Sequence, residues 1–133
     1  MNKDGVFSPE DTSQEVARLD RPSNIISWTP NVNYEFKLTI PPTVYPPRED
    51  TELLARRIIN LGPGRGRNFL EIGCGSGAIS LLASSLGWKV SACDVNPFAV
   101  VATKGNLESH GLDGQIKEGG AGPEEFPFSD KFD

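Results

Sequence analysis

Between Tyr34 and Ile40 the chain alternates strictly. Tyr34, Phe36, Leu38 and Ile40 are apolar, and Glu35, Lys37 and Thr39 between them are polar. A period of two puts one set on each face of a strand. A short strand is also expected over Asn24–Trp28, with Thr29-Pro30-Asn31 as the turn, so the two form a hairpin. Pro41, Pro42, Pro46 and Pro47 exclude helix and predict a stiff, extended connector. From Arg48 the period becomes helical. Glu49, Asp50 and Glu52 crowd the first turn, Arg56 and Arg57 come later, and Gly62-Pro63 stops the helix. Its apolar face is expected to be Leu54, Ile58 and Leu61.

A strand is then predicted over Asn68–Ile72, running into Gly73-Cys74-Gly75-Ser76-Gly77. Ala78–Leu86 follows as a helix with Ile79, Leu82, Ala83 and Leu86 inward. Gly87 breaks the chain before a second strand, Lys89–Cys93. Asn96 is a good N-cap and Pro97 suits the first helical position. That helix is expected to reach about His110, with Phe98, Val101, Ala102 and Leu107 inward and Gly111 beyond its end. Gln115–Glu118 reads as a third strand, followed by a glycine-rich loop and a polar stretch carrying Phe126, Phe128 and Phe132.

Strands alternating with helices predict an α/β class, a Rossmann-like half-sheet in the order 3-2-1, preceded by a short hairpin and a helix. The expected organisation is a polar tail over residues 1–23, either loose or with a poorly anchored helix at 9–19, the hairpin and proline-rich connector over 24–47, and the α/β domain over 48–133.

The chain has 133 residues and a formal net charge of −5. That balance gives no help to non-specific nucleic-acid binding, which needs clustered Lys and Arg. Gly62-Pro63-Gly64-Arg65-Gly66-Arg67 resembles an RNA-binding repeat, but one copy between a helix and a strand reads as a loop. No apolar run approaches the roughly 18 residues of a membrane span. Met1–Gly5 lacks the apolar core of a secretion signal. The two cysteines, Cys74 and Cys93, form neither a metal pattern nor a disulfide framework, so a cytosolic setting is expected. His110 is the only histidine; at a helix C-terminus it reads as a surface residue favoured by the dipole.

The candidate chemistry lies around the glycine loop. Asp94 closes the second strand 21 positions after Gly73. A carboxylate there can accept both hydroxyls of a ribose, and the usual offset is roughly 20 residues. Glu71 stands two residues before the first glycine. A pyrophosphate over this loop would meet that carboxylate, and like charges repel in a partly dry site. A cationic nucleoside is favoured instead. S-adenosylmethionine (SAM) carries a sulfonium, an ammonium and a ribose, and no phosphate. The alternative is that Glu71 caps the loop's own amides.

Two segments resemble class I SAM-dependent methyltransferases, and more narrowly the HemK/PrmC-type protein glutamine methyltransferases. One is Val44-Tyr45-Pro46-Pro47-Arg48-Glu49-Asp50-Thr51-Glu52-Leu53-Leu54; the other is Leu70-Glu71-Ile72-Gly73-Cys74-Gly75-Ser76-Gly77 with Asp94. The resemblance implies that Thr51 binds the methionine end of SAM. Glu71, Gly73 and Gly75 form the loop beneath it, Asp94 holds the ribose, and Glu118 flanks the adenine. It implies a protein substrate such as a translation release factor, and a small activator subunit in some relatives.

The family's catalytic signature, Asn-Pro-Pro-Tyr, does not occur here; Asn96-Pro97 is the nearest dipeptide. The expectation is therefore a domain incomplete at its C-terminus, which binds SAM weakly and does not methylate alone. No catalytic residue and no metal ligand is assigned. Three other readings stay open: methylation of an exocyclic amine in RNA or DNA, a non-catalytic SAM-binding module, and an NAD-linked oxidoreductase. The last is allowed because Gly73, Gly75, Ala78 and Asp94 also satisfy the dinucleotide fingerprint.

Overall fold

The computed structural model describes residues 23–129. The expected polar tail and its helix at 9–19 lie outside the described residues, apart from Ser23. No helix among the described residues is long and apolar enough to cross a membrane.

The chain opens with an antiparallel hairpin of β1 (Asn24–Asn31) and β2 (Tyr34–Ile40), with Trp28 opposite Phe36 and Asn24 opposite Ile40. The expected turn at Thr29-Pro30-Asn31 is instead the end of β1. The chain reverses one step later, where Asn33 N–H donates to Asn31 Oδ1 at 2.8 Å. The register shifts between Trp28 and Asn31. Proline has no N–H for the ladder, so Pro30 is tolerated at such an irregularity. The alternation in β2 has the expected result: Phe36, Leu38 and Ile40 are buried.

Helix α1 (Glu49–Asn60) follows the proline connector. It packs against β1 and the next helix, but not through the expected face. Ala55 and Ile58 are buried, whereas Leu54 and Leu61 are 47% and 64% exposed. Several rows of apolar residues run along this helix, and the neighbour's position chooses among them. Ala55 lets that neighbour come close.

Strands β3 (Asn68–Ile72), β4 (Lys89–Asp94) and β5 (Gln115–Glu118) form a parallel sheet in the order β3-β4-β5, as expected. Each pair is joined by a crossover helix: α2 (Ala78–Ser85), then α3 (Pro97–Ser109). Every residue of α2 from Ala78 to Ala83 is buried, because α1, α3, β3 and β4 all reach it. A helix enclosed on all sides needs no polar stripe.

On α3 the buried residues are Ala99, Val100, Ala102, Thr103, Asn106 and Leu107. Of the four expected inward positions, Ala102 and Leu107 are correct. Phe98 and Val101 point outward, 39% and 69% exposed. The reason is that Thr103 and Asn106, both polar, occupy the inner face. Strand β2 packs on α3, so the hairpin joins the domain through that helix as well as through α1. The other edge of β3 has no strand partner among the described residues, and Ile72 there is 46% exposed.

Candidate functional site

The carboxyl ends of β3 and β4 open into a crevice of about 480 Å³. In an open parallel sheet, ligands are taken at that end of the strands. The proline connector forms one wall through Thr43 to Arg48, the start of α1 another, and the glycine loop the floor.

The loop is shaped by three residues of positive φ: Gly73 at 80°, Gly75 at 54° and Gly77 at 88°. L side chains avoid this region, so glycine is required. Gly77 is constrained a second time, because a Cβ there would lie 2.9 Å from Thr103 Cα. Over Gly75 a Cβ would meet nothing within 4 Å, so the space above that peptide is open.

The loop is held from two elements, the end of β4 and the inner face of α3. Gly73 N–H and Cys74 N–H both donate to Cys93 O, at 2.7 and 3.0 Å. Gly75 N–H donates to Asp94 Oδ2 at 3.0 Å, and Asn96 N–H to Asp94 Oδ1 at 2.9 Å. Each Asp94 oxygen thus keeps a lone pair for a ligand hydroxyl. From α3, Thr103 Oγ1 donates to Gly75 O at 3.2 Å and Asn106 Nδ2 to Ser76 O at 2.8 Å. Asn96 caps α3 by accepting from Phe98 N–H at 3.0 Å. Its Nδ2 reaches Thr43 O at 3.3 Å, which ties the connector to the rim of the crevice.

Glu71 accepts from Ser80 Oγ at 2.6 Å. Burial pushes its carboxyl up to about 7, opposed by the hydroxyl and backbone amide of Ser80 and reinforced by the charge of Asp94. Ser80 belongs to the first turn of α2, so Glu71 occupies the helix N-terminus where a phosphate would otherwise be bound. The partner of Glu71 is thus a residue of α2: the side chain braces that helix and also lines the crevice.

Of the six residues assigned to the site, Thr51, Glu71, Gly73, Gly75 and Asp94 line this one crevice. Thr51 Oγ1 also accepts from Arg48 N–H at 3.3 Å, at the start of α1. Glu118 does not join them. It ends β5 level with Asp94 and is exposed, outside the crevice lining, because β5 lies a further strand away from the loop. Cys74 lines the crevice, but burial pushes its thiol up to about 12, which disfavours the thiolate. Burial raises Cys93 as well. His110 is not a free surface residue. Its Nδ1 lies 2.8 Å from Asn106 O, its Nε2 lies 3.4 Å from Lys37 N, and its ring meets Phe36 edge-on.

Sequence reasoning missed Thr103, Asn106 and Ser80. Thr103 and Asn106 are three apart in a helix, hence on one face. Polar residues at core spacing were the available signal. Ser80 offered a weaker one, a lone hydroxyl within an otherwise apolar turn.

The family described as ribosomal protein L11 methyltransferase (PrmA) matches residues 51–129, more than half of the chain. A Methanocaldococcus jannaschii protein named "Putative protein N5-glutamine methyltransferase" is 37% identical over 73 residues, which are 54% of this chain and 36% of that protein. The ribosomal protein L11 methyltransferase of Thermosipho africanus is 36% identical over 70 residues, 52% of this chain and 27% of that one. Among solved structures, the T. thermophilus 16S rRNA N2 G1207 methyltransferase (RsmC), in complex with AdoMet and guanosine, superposes with a TM-score of 0.63. It is 25% identical, over 73% of this chain and 28% of that one. This chain thus spans about a third or less of the length of these relatives. The glycine loop and both carboxylates fall inside the matched region, and the chain belongs to the SAM-dependent methyltransferases, in the family described as ribosomal protein L11 methyltransferase (PrmA).

Proposed function

We propose that this chain forms the methyl-donor site of a SAM-dependent methyltransferase. The observation that carries the reading is the pairing of Glu71 and Asp94 on one crevice above an open glycine bend. The donor set suits an adenosyl cation. Asp94 offers spare lone pairs to a ribose, and Glu71 offers a carboxylate to an ammonium or sulfonium. A dinucleotide fits less well, because Glu71 already occupies the start of α2, where its pyrophosphate would sit.

When bound, SAM supplies a methyl group on a sulfonium, which an acceptor nitrogen takes by in-line displacement as the C–S bond breaks and the nitrogen loses a proton. This chain's own residues hold and orient the donor. Thr43 to Pro47 wall the crevice with rigid backbone, which excludes water from one side.

For the acceptor we infer a protein side-chain amide, the glutamine type. Support comes from the Val44–Leu54 segment, which contributes Val44 to Arg48, Asp50 and Thr51 to the crevice, and from the M. jannaschii relative. A nucleobase amine is the second reading, favoured by the similarity to the guanosine-bound RsmC. Both are planar nitrogens with a delocalised lone pair, so both need positioning more than a strong base.

Calorimetric titration with SAM and with NAD tests the donor. SAM is expected to bind and NAD not; tighter NAD binding would remove the reading. Asp94→Ala should weaken SAM by about 1.5–3 kcal/mol, the value of a charge-assisted hydrogen bond. Unchanged affinity would show that Asp94 does not hold the ribose. Binding of the SAM-loaded chain to glutamine-bearing protein and to RNA, measured in parallel, then separates the two acceptors.

A further inference from the structure

We infer that Asn106 is a positioning residue that joins the hairpin to the methyl-donor loop, so that the grip on SAM depends on where β2 sits. The inference rests on the donor-site reading above.

The geometry is specific. Asn106 is 2% exposed, on the inner face of α3. Its Oδ1 accepts from Thr39 N–H at 2.8 Å, and its Nδ2 donates to Thr39 O at 3.1 Å. The same Nδ2 donates to Ser76 O at 2.8 Å. Both amide hydrogens and one acceptor site are thereby used. One side chain completes the free edge of β2 as a neighbouring strand would, and also fixes a carbonyl of the glycine loop.

Neighbours on the same helix divide the work. Thr103, one turn earlier, bonds to the loop, through Gly75 O and Cys74 Sγ. His110, one turn later, reaches the hairpin, through Lys37 N and the ring of Phe36. Lys37 and Thr39 share a parity, so both N–H groups face α3. Asn106 alone of the three spans both bodies.

Chemistry narrows what can stand there. Aspartate keeps the acceptor but loses both donors and would face two carbonyls. Leucine would leave the buried Ser76 O without this partner, which is costly, and would strip Thr39 N–H and O of theirs at a part-buried edge. Thr39 is not part of the crevice lining, so a change there reaches SAM through this link or along the chain to Thr43, and the exchange of the loop amides tells the two routes apart.

The test uses Thr39→Pro and Asn106→Ala in the full chain. Thr39 N–H points away from the β1–β2 ladder, so proline at this edge removes chiefly the bond to Asn106. SAM affinity is measured by calorimetry at a temperature where far-ultraviolet circular dichroism shows each variant folded. Amide hydrogen exchange of Gly75, Ser76 and Gly77 is followed without SAM. The expected result is a roughly tenfold loss of affinity in Asn106→Ala, the scale of one or two hydrogen bonds. Thr39→Pro should lose several-fold, the double variant no more than Asn106→Ala, and loop amides should exchange faster in all three. Should Asn106→Ala not fold, Thr39→Pro carries the test. Wild-type affinity and wild-type loop exchange in a folded Thr39→Pro variant would overturn the inference. If the unaltered chain does not bind SAM, the donor-site reading fails, and the exchange measurement still decides whether Asn106 links hairpin and loop.

Discussion

At the scale of single residues, Glu71 has the most unusual state. Its folded pKa, about 7, lies above the ordinary 4.5. A carboxyl raised in this way favours folding while it is protonated. The contribution is complete below about 4.5 and is lost as pH rises through 7. Its size is on the order of 3 kcal/mol, since one pKa unit is about 1.4 kcal/mol. Glu71→Gln should therefore flatten the fall in stability between pH 5 and pH 8, read by denaturant unfolding at each pH. A wild-type slope in that variant would assign the titration to another group. The same state affects ligand binding. A cationic ligand needs the carboxylate, so SAM affinity should rise between pH 6 and pH 8, with proton release on binding. Calorimetry in buffers of different ionisation enthalpy reads that release. Gly77 has a purely steric part: Gly77→Ala combines a positive φ with a clash against Thr103, and should cost about 1–3 kcal/mol in thermal or denaturant unfolding.

At the scale of elements, α1 shows how a helix with several apolar rows is oriented by its neighbours. Its inner face is Ala55 and Ile58, and Leu61 is left in solvent. Ala55→Leu should overpack the contact with α2 and β1, at about 1–3 kcal/mol. Leu61→Gln should change stability by no more than about 0.5 kcal/mol. The reverse ranking in urea unfolding would place the helix face wrongly. In α3, Thr103 and Asn106 take core positions that apolar residues would fill more cheaply. They are satisfied by backbone groups of the loop and hairpin, which makes their burial tolerable.

At the scale of the whole molecule, the hairpin, sheet and crevice are one connected body. Asp94 ties β4 to the loop, Asn106 ties the loop to the hairpin, and Asn96 ties the connector to α3. A ligand that binds only this assembled state stabilises all of it. SAM at a hundred times its Kd should add about 2.7 kcal/mol. For a domain of about 100 residues that raises the melting midpoint by roughly 10–20 °C. NAD at equal concentration should not.

Much of this was legible along the chain, for physical reasons. Strand β2 shows itself by strict alternation, the βαβ order by runs of apolar residues between glycines, and the site by Gly73, Gly75, Glu71 and Asp94. These signals are local, because backbone period, positive φ and the end of a strand depend on near neighbours. The turn after β1, the inward rows of α1 and α3, and the roles of Ser80, Asn106 and His110 were not legible. Each depends on which distant group arrives opposite. The sequence by itself determined that a glycine bend flanked by two carboxylates would follow the first parallel strand. Only the tertiary structure decided that a hairpin more than 30 residues earlier would be bound to that bend, since a side-chain amide on α3 finds both partners only once the helix has packed between them.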